Sequence, residues 1–495
     1  MSLGVRAVMQ LTGRDNRAGS LSPVTAPIAT VEFDPGSYRD RAARVCRTAD
    51  GRVLRYLSPA ALLEWQAISP LPFFRQAMES GRIVGSQLID TAPSPRTAAW
   101  AGVLEHEVIS FISYPYEWAF SMLRDAALLH LELLREAVTN GCTIKDGTAY
   151  NVQFHRGRPT FIDVTSFERL PAGTPWVGYR QFCQTFLFPL MLQAYRNLPF
   201  QPWLRGRLEG IMPQECWQAM SLRDLARRGV LTHVALHAMV EARTATSSQG
   251  TAHALSQAGF QHQMILNSIR NLQRTIEGLR WSPPQTTWSD YGTGEHYTEE
   301  DSRQKERFLG QTIQLRRWKQ VWDLGGNIGH YAEIAAENSD SVIVVDADYA
   351  AIEQCYRRLT STPTAIRQRI LPLVASVVDL PGGLGWRGQE RRAFTDRGKP
   401  DLILCLALIH HVVIGHGVPL PEFIDWIADL GASLVIEFVG RDDPKVQQML
   451  RDRRDACEDY SADVFEAAIA RRFDVRHRET LMAGTRTLVF AEPKG

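Results

Sequence analysis

Two adjacent histidines, His410 and His411, follow a short apolar run and are the residues best suited to proton transfer. Histidine titrates near neutral pH, so either one could accept a proton from a hydroxyl or an amine. Glu437 ends a later apolar run and could orient such a substrate. The structural alternatives are that one histidine caps a helix, the other packs inside, and Glu437 is a solvated strand end. We expect no metal site with His416, because no carboxylate stands at ligand spacing.

A glycine-rich turn between two apolar runs predicts a nucleotide-type binding site. Residues 320–348 have the pattern strand, tight turn, helix, strand and acid, which predicts a βαβ unit. Glycine lets the backbone approach a ligand closely, and the start of a helix offers free N–H groups. Asp346 ends the second apolar run, about 20 residues past the turn, where a carboxylate suits the two hydroxyls of a ribose.

Two residues of this turn favour a cationic ligand over a dinucleotide. Asp323 precedes the first glycine and would repel an anionic pyrophosphate. Asn327 stands where a dinucleotide site would need its second glycine, and asparagine tolerates the left-handed backbone of such a turn. S-adenosylmethionine, with its ammonium and sulfonium groups, therefore fits better than NAD. An NAD-linked oxidoreductase and a scaffold that binds the cofactor without turnover remain the alternatives.

The elements that position these residues divide the chain into three parts. Residues 1–28 lack periodicity and predict a mobile arm. Residues 29–281 predict an α+β domain, which ends where two prolines stop the last helix. Residues 282–495 predict an α/β domain that is closed by an antiparallel hairpin over residues 473–491.

The last domain resembles the class I S-adenosylmethionine-dependent methyltransferases. Asp323, Gly325, Asn327 and Gly329 match the first motif of that family, and Asp346 corresponds to its ribose-binding acid. The late hairpin is also similar, since the later units of a dehydrogenase keep alternating strand and helix. The resemblance implies a Rossmann-like doubly wound sheet and S-adenosyl-L-methionine as the cofactor. It also implies methyl transfer to oxygen or nitrogen of a small-molecule acceptor.

The same resemblance implies which residues contact the cofactor. They are Tyr291, Tyr297, Asp323, Gly325, Gly326, Asn327, Gly329, Asp346, Ala347, Ser376, Val377 and Leu406. The two tyrosines belong to segments that resemble the lead-in, which covers the cofactor in such enzymes. Ser376 departs from the family, which tends to carry an acid there beside the adenine. A hydroxyl can still accept a hydrogen bond from the adenine amino group.

The whole chain is similar to a group of nodulation-associated bacterial fusion proteins that have a kinase-like front half. Residues 111–118 and 384–387 carry this likeness. Asp146, Asn151 and Asp163 resemble a kinase catalytic loop and its metal-binding acid. A kinase also needs a lysine in its amino-terminal lobe to hold the phosphates, and the only lysine before Asp146 is its neighbour Lys145. The sequence therefore favours a degenerate module that helps to shape or cover the substrate site, with phosphotransfer as an alternative.

Composition bounds the partners of the protein. A formal net charge of +1 gives no sign of a nucleic-acid footprint. No apolar run reaches the length of a membrane span, so we expect no membrane partner. The seven cysteines are scattered without a CxxC pair, which predicts free thiols in the reducing cytoplasm. An arginine cluster at Arg387, Arg391 and Arg392 could clamp an acidic acceptor, and the oligomeric state is left open.

Overall fold

The structure is a computed structural model that describes residues 32–90, 99–171, 173–236, 238–239, 262–283, 298–451 and 459–494. The predicted arm over residues 1–28 lies outside the described residues. So do Tyr291 and Tyr297, the two aromatic cofactor contacts expected from the sequence.

The first half combines small antiparallel sheets with helices, as the sequence predicts. Its strands are β1 (Ala43–Arg47), β2 (Val53–Leu57), β3 (Ser86–Ile89), β4 (Gly102–His106), β5 (Cys142–Ile144), β6 (Val152–His155), β7 (Arg158–Phe161) and β8 (Phe167–Arg169). Its α-helices are α1 (Pro59–Ile68), α2 (Pro72–Glu79), α3 (Phe120–Thr139), α4 (Tyr179–Phe182), α5 (Phe188–Arg196), α6 (Gln201–Gly206), α7 (Pro213–Ala219) and α8 (His262–Gly278). Strands β1 to β4 form one sheet in the order β1-β2-β4-β3, and β5 pairs with β8 as β6 pairs with β7.

The second half is built on a seven-stranded sheet. Its strands are β9 (Trp318–Leu324), β10 (Ser339–Asp346), β11 (Ile370–Val374), β12 (Leu402–Cys405), β13 (Ser433–Val439), β14 (Phe473–Thr480) and β15 (Arg486–Pro493). Its α-helices are α9 (Glu299–Gln314), α10 (His330–Ala335), α11 (Tyr349–Leu359), α12 (Thr364–Arg367), α13 (Leu420–Asp429), α14 (Pro444–Arg451) and α15 (Ala462–Arg472).

The strand order of this sheet fixes where a ligand can bind. The order is β11-β10-β9-β12-β13-β15-β14, in which β9 to β13 run parallel and β15 is antiparallel to both of its neighbours. This is the doubly wound sheet with a late antiparallel hairpin that the sequence predicts. The chain order reverses between β9 and β12, so a crevice opens beyond the carboxyl ends of these two strands.

The residues of the parallel strands explain why they form the centre of the sheet. Val342 to Val345 of β10 are fully buried, as are Leu402 to Cys405 of β12. A parallel strand is covered by helices on both faces and therefore shows a continuous apolar run rather than alternation. The sheet is thus a rigid platform for the turns at its carboxyl edge.

The two halves share one hydrophobic core, and buried polar contacts also join them. The Glu117 carboxylate, before α3, accepts from the Arg397 guanidinium at 2.7 Å, and both side chains are almost completely buried. Ser121 of α3 donates its backbone N–H to Glu353 of α11 at 2.8 Å. Breaking a buried ion pair of this kind typically costs about 3–5 kcal/mol, because one charge is left without its partner.

Candidate functional site

A cavity of about 940 Å³ opens at the carboxyl edge of the sheet, where the strand order reverses. Most of the site residues predicted from the sequence line it. They are Asp323, Gly325, Gly326, Asn327, Asp346, Ala347, Ser376, Val377, Leu406 and His411. Gly329, His410 and Glu437 are not among the lining residues. The cavity is large enough for a small organic ligand.

The turn after β9 is shaped by close backbone approach. Asn327 adopts the left-handed conformation with a φ of 48°. A Cβ atom on Gly326 would lie 2.6 Å from Asp323 Oδ2, so any side chain there would collide with the carboxylate. Gly329 is different, because a Cβ atom there would meet Cys355 Sγ at 2.6 Å. The small size of Gly329 therefore lets helix α10 pack against α11. Gly329 does not line the cavity, although the sequence predicts a cofactor contact there.

Asp346, at the end of β10, holds the two turns that border the cavity. Its carboxylate accepts the backbone N–H groups of Asn327 and Asp348, each at 2.9 Å. Burial raises the pKa of Asp346 to about 6, although these two N–H groups act in the opposite direction. The carboxylate is thus positioned at the mouth of the glycine turn.

Asp323 is a buried acid without a full set of partners. Its Oδ2 atom is inaccessible to water and has no hydrogen-bond partner among the described residues. Burial and then the charge of Asp346 raise the pKa of Asp323 to about 7. A buried polar atom without a partner is uncommon and calls for a ligand or a water molecule. Asp323 also borders the cavity, where its carboxylate would attract a cationic donor.

The two histidines lie in a turn that the sequence did not predict. Residues His411–Gly415 form a single π-helical turn directly after His410. The His410 ring is fully buried, and neither of its nitrogens has a hydrogen-bond partner among the described residues. The His411 ring borders the cavity, with its centroid 3.9 Å from that of His410. His410 stands at the start of this turn, and its side chain makes no capping hydrogen bond.

Burial also corrects the expected chemistry of these histidines. It lowers the pKa of His411 to about 3 and that of His410 well below its usual range. Both rings are therefore neutral at pH 7, and a proton bound to either would be held only weakly. The expectation of a general base depended on a pKa near neutral, and burial lowers the pKa of both rings. His410 is also absent from the residues that line the cavity.

Glu437 shapes the loop after β12 and does not border the cavity. It is fully buried and lies 2.8 Å from Lys305 Nζ and 3.3 Å from Arg486 Nη1. Burial alone would raise its pKa, but these two cations hold the pKa below the usual range. Glu437 also accepts the backbone N–H of Ala407 at 2.9 Å. The interpretation of Glu437 as a solvated strand end is therefore wrong.

Several lining residues were missed from the sequence. Lys305 of α9 and Tyr331 of α10 border the cavity, and Lys305 Nζ lies 5.3 Å from the centre of the tyrosine ring. The sequence does indicate where α9 begins, because threonine at position 298 is a residue type that favours the start of a helix. In the structure, the Thr298 side chain accepts the backbone N–H of Asp301. Ala407 also borders the cavity with a φ of 51°, which no sequence pattern indicated.

The segment after Ser376 faces the front half of the molecule. Arg205 of α6 binds the carboxylate of Asp379 through two hydrogen bonds of 2.8 and 2.9 Å. Arg392 donates to Asp34 at 2.7 Å, and Arg391 lies over the ring of Tyr150 at 4.4 Å. Arg391 and Arg392, two of the three arginines that could have clamped an acceptor, thus join the two halves instead.

The residues that the structure describes bear on metal binding and on membrane spans. In that part of the chain, no group of three His, Cys, Asp or Glu side chains is placed to hold a metal ion. None of its helices combines the length and the apolar character that crossing a bilayer requires.

Comparison with known proteins identifies a relative that matches almost the whole chain. Nodulation protein NoeA of Rhizobium meliloti (strain 1021) is 31% identical over 463 residues, which cover 92% of this chain and 94% of that protein. No protein-family model matches the chain.

Two solved structures match part of the chain at low similarity. N-methyltransferase NodS from Bradyrhizobium japonicum WM9 is 14% identical, with 40% of this chain and 98% of that chain covered and a TM-score of 0.29. An S-adenosylmethionine-dependent methyltransferase from Aquifex aeolicus is 14% identical, with 38% and 89% covered and a TM-score of 0.27. Similarities this slight carry no argument about function. The match to the nodulation protein, in contrast, covers almost the whole length of both chains. This chain therefore belongs to the NoeA family.

Proposed function

We propose that the protein is an S-adenosylmethionine-dependent methyltransferase that acts on a small-molecule acceptor. One observation carries the proposal. The cavity at the reversal of strand order is bordered by two acids, Asp346 at the ribose position and Asp323 just before the glycine turn. A dinucleotide would bring its pyrophosphate close to Asp323 beside the glycine turn, whereas a cationic amino-acid ligand is attracted to that acid.

The residues of the cavity fit this cofactor in chemical type. Asp346 would accept hydrogen bonds from ribose hydroxyls, and Asp323 would accept one from the ammonium group. Ser376 would accept from the adenine amino group, and Gly326 leaves the room that a side chain would fill. When bound, S-adenosylmethionine supplies an electrophilic methyl group on a sulfonium.

The acceptor side of the cavity is formed by the loop and π-turn after β12. Leu408, His411 and Val412 line it. Methyl transfer depends mainly on position and on the exclusion of water, so an apolar wall with one neutral imidazole is suitable. His411 then lies against the acceptor and helps to orient it. Glu437 acts on this side indirectly, by holding the backbone of Ala407.

The front half serves in this proposal as a degenerate kinase-like module that supports the cavity. Arg55 of β2 lies 2.6 Å from Asp163, the acid that a kinase would use to hold Mg²⁺. The same guanidinium donates to the Ile162 carbonyl at 3.1 Å. This ion pair favours a structural role for Asp163. Support of the cavity comes from Arg205, whose bond to Asp379 fixes the segment next to Ser376.

The test is a comparison of melting temperatures with different ligands. S-adenosylmethionine and S-adenosylhomocysteine should stabilise the full chain, by about 2.7 kcal/mol at one hundred times the Kd. NAD and NADP should leave the melting temperature unchanged. Stabilisation by NAD or NADP, with no response to the two sulfur compounds, would refute the proposal in favour of an oxidoreductase.

A further inference from the structure

A second cavity, of about 480 Å³, lies where the two halves of the molecule meet. Its walls come from α3 of the front half, from the chain at residues 280–282, and from the last turn of α11. Helix α11 begins beside the first cavity, where Asp348 caps it, and its 11 residues span about 16 Å. The second cavity is therefore a separate site at the other end of the same helix.

Three arginines line this second cavity, and two of them, Arg124 and Arg280, have no ion pair shorter than 3.5 Å within the described residues. Arg357 is engaged, because it lies 2.7 Å from Glu353 and donates to the Trp281 carbonyl at 2.9 Å. Arg124 reaches the neighbouring Asp125 only at 3.5 Å, and its buried Nε atom has no partner in the described chain. The bonds of Arg280 within the described residues go to backbone carbonyls, such as that of Leu279 at 2.9 Å.

The nearby acids are already committed to other groups. The Tyr356 hydroxyl donates to Asp125 at 2.9 Å, and burial raises the pKa of Asp125. Glu353 accepts from Ser121 as well as from Arg357. Three guanidinium groups face two carboxylates, so the site has a net positive charge even with both acids ionised. Such an excess of positive charge attracts an anion.

We propose that this cavity binds the phosphate or sulfate group of a small molecule. A guanidinium is planar and donates two parallel hydrogen bonds, so it matches an oxyanion better than a point charge does. The volume lies within the range of small-molecule sites, which favours an anion attached to an organic group. Because Arg124 belongs to the front half and Arg357 to the second, the ligand would contact both halves at once.

Calorimetry on the full chain tests this site with three probes: inorganic phosphate, glucose 6-phosphate and glucose, at constant ionic strength. We expect both phosphates to bind and glucose not to bind. Arg124→Gln and Arg280→Gln should each weaken phosphate binding by roughly tenfold, the lower end for a hydrogen bond to a charged group. Asp125→Asn should tighten it several-fold by removing a like charge, a gain that misfolding cannot produce.

Arg274→Gln is the matched control, because Arg274 is an exposed arginine on α8, six residues before Arg280. It should bind phosphate as the unmodified chain does. Tighter binding of glucose 6-phosphate than of inorganic phosphate would support an esterified ligand, and equal binding would support free phosphate. Absence of phosphate binding, or binding that both arginine variants retain, would overturn the proposal.

Discussion

The affinity for S-adenosylmethionine should depend on pH through Asp323. In the ligand-free protein, burial and the charge of Asp346 raise the pKa of Asp323 to about 7. The cationic ligand binds the ionised carboxylate, so binding must remove the proton that Asp323 carries at lower pH. Affinity is therefore complete above the pKa and is lost as the pH falls through it.

The size of the effect follows from the pKa. With a pKa near 7, about one Asp323 in eleven is ionised at pH 6, so the affinity there should be about tenfold weaker than at pH 8. The ligand's own amino group loses its charge near pH 8, which limits the affinity on the alkaline side. Asp346, with a pKa of about 6, should steepen the fall below pH 6.

Calorimetry in buffers of different ionisation enthalpy measures both the affinity and the number of protons released. We expect close to one proton to be released per ligand at pH 6.5. Asp323→Asn should weaken binding at pH 7.5 by roughly tenfold or more and should abolish most of this release. The variant also removes a buried charge, so the ligand-free protein should melt no lower than the unmodified chain at pH 8. If the unmodified chain binds equally well at pH 6 and pH 8, Asp323 does not receive the ligand's cation.

The other predictions concern the ribose acid, the histidine at the acceptor wall and the front half. Asp346→Ala should weaken S-adenosylmethionine binding by about ten- to a hundredfold in calorimetry, the scale of a charge-assisted hydrogen bond, while the exposed Asp340→Ala on the same strand leaves it unchanged. His411→Ala should lower turnover at saturating substrate by about tenfold, the scale of one lost orienting contact, with little change in cofactor affinity. Because the pKa of His411 is about 3, the rate should show no step from this residue between pH 6 and 9, and a step that the variant removes would contradict the burial argument. The front half should transfer no phosphate from ATP, and transfer that disappears in both Asp146→Asn and Asp163→Asn would show that it is an active kinase.

The cofactor side of the cavity was predictable because its residues are close in sequence. A turn between two buried strands, with an acid at the end of the second, determines its own geometry within about 30 residues. Asn327 and Asp346 are therefore in hydrogen-bond contact, as the motif implies. Gly329 belongs to the same motif, but it serves the packing of Cys355 rather than the cavity.

The acceptor side was not predictable in the same way. Which histidine borders the cavity depends on a π-turn, and no residue pattern distinguishes such a turn from an α-helix. The partners of Glu437 are also distant in sequence, since Lys305 comes from the helix that precedes the sheet. The buried pair of Glu117 and Arg397 joins the two halves, and periodicity gives no information about a contact of that range.

The most direct test of the proposed function is a crystal structure of the full chain grown with S-adenosylhomocysteine. We predict electron density for the ligand in the cavity of about 940 Å³, with its ribose hydroxyls against Asp346 and its amino group beside Asp323. An empty cavity at a saturating concentration of the ligand, or density for it only at another place on the molecule, would contradict the account.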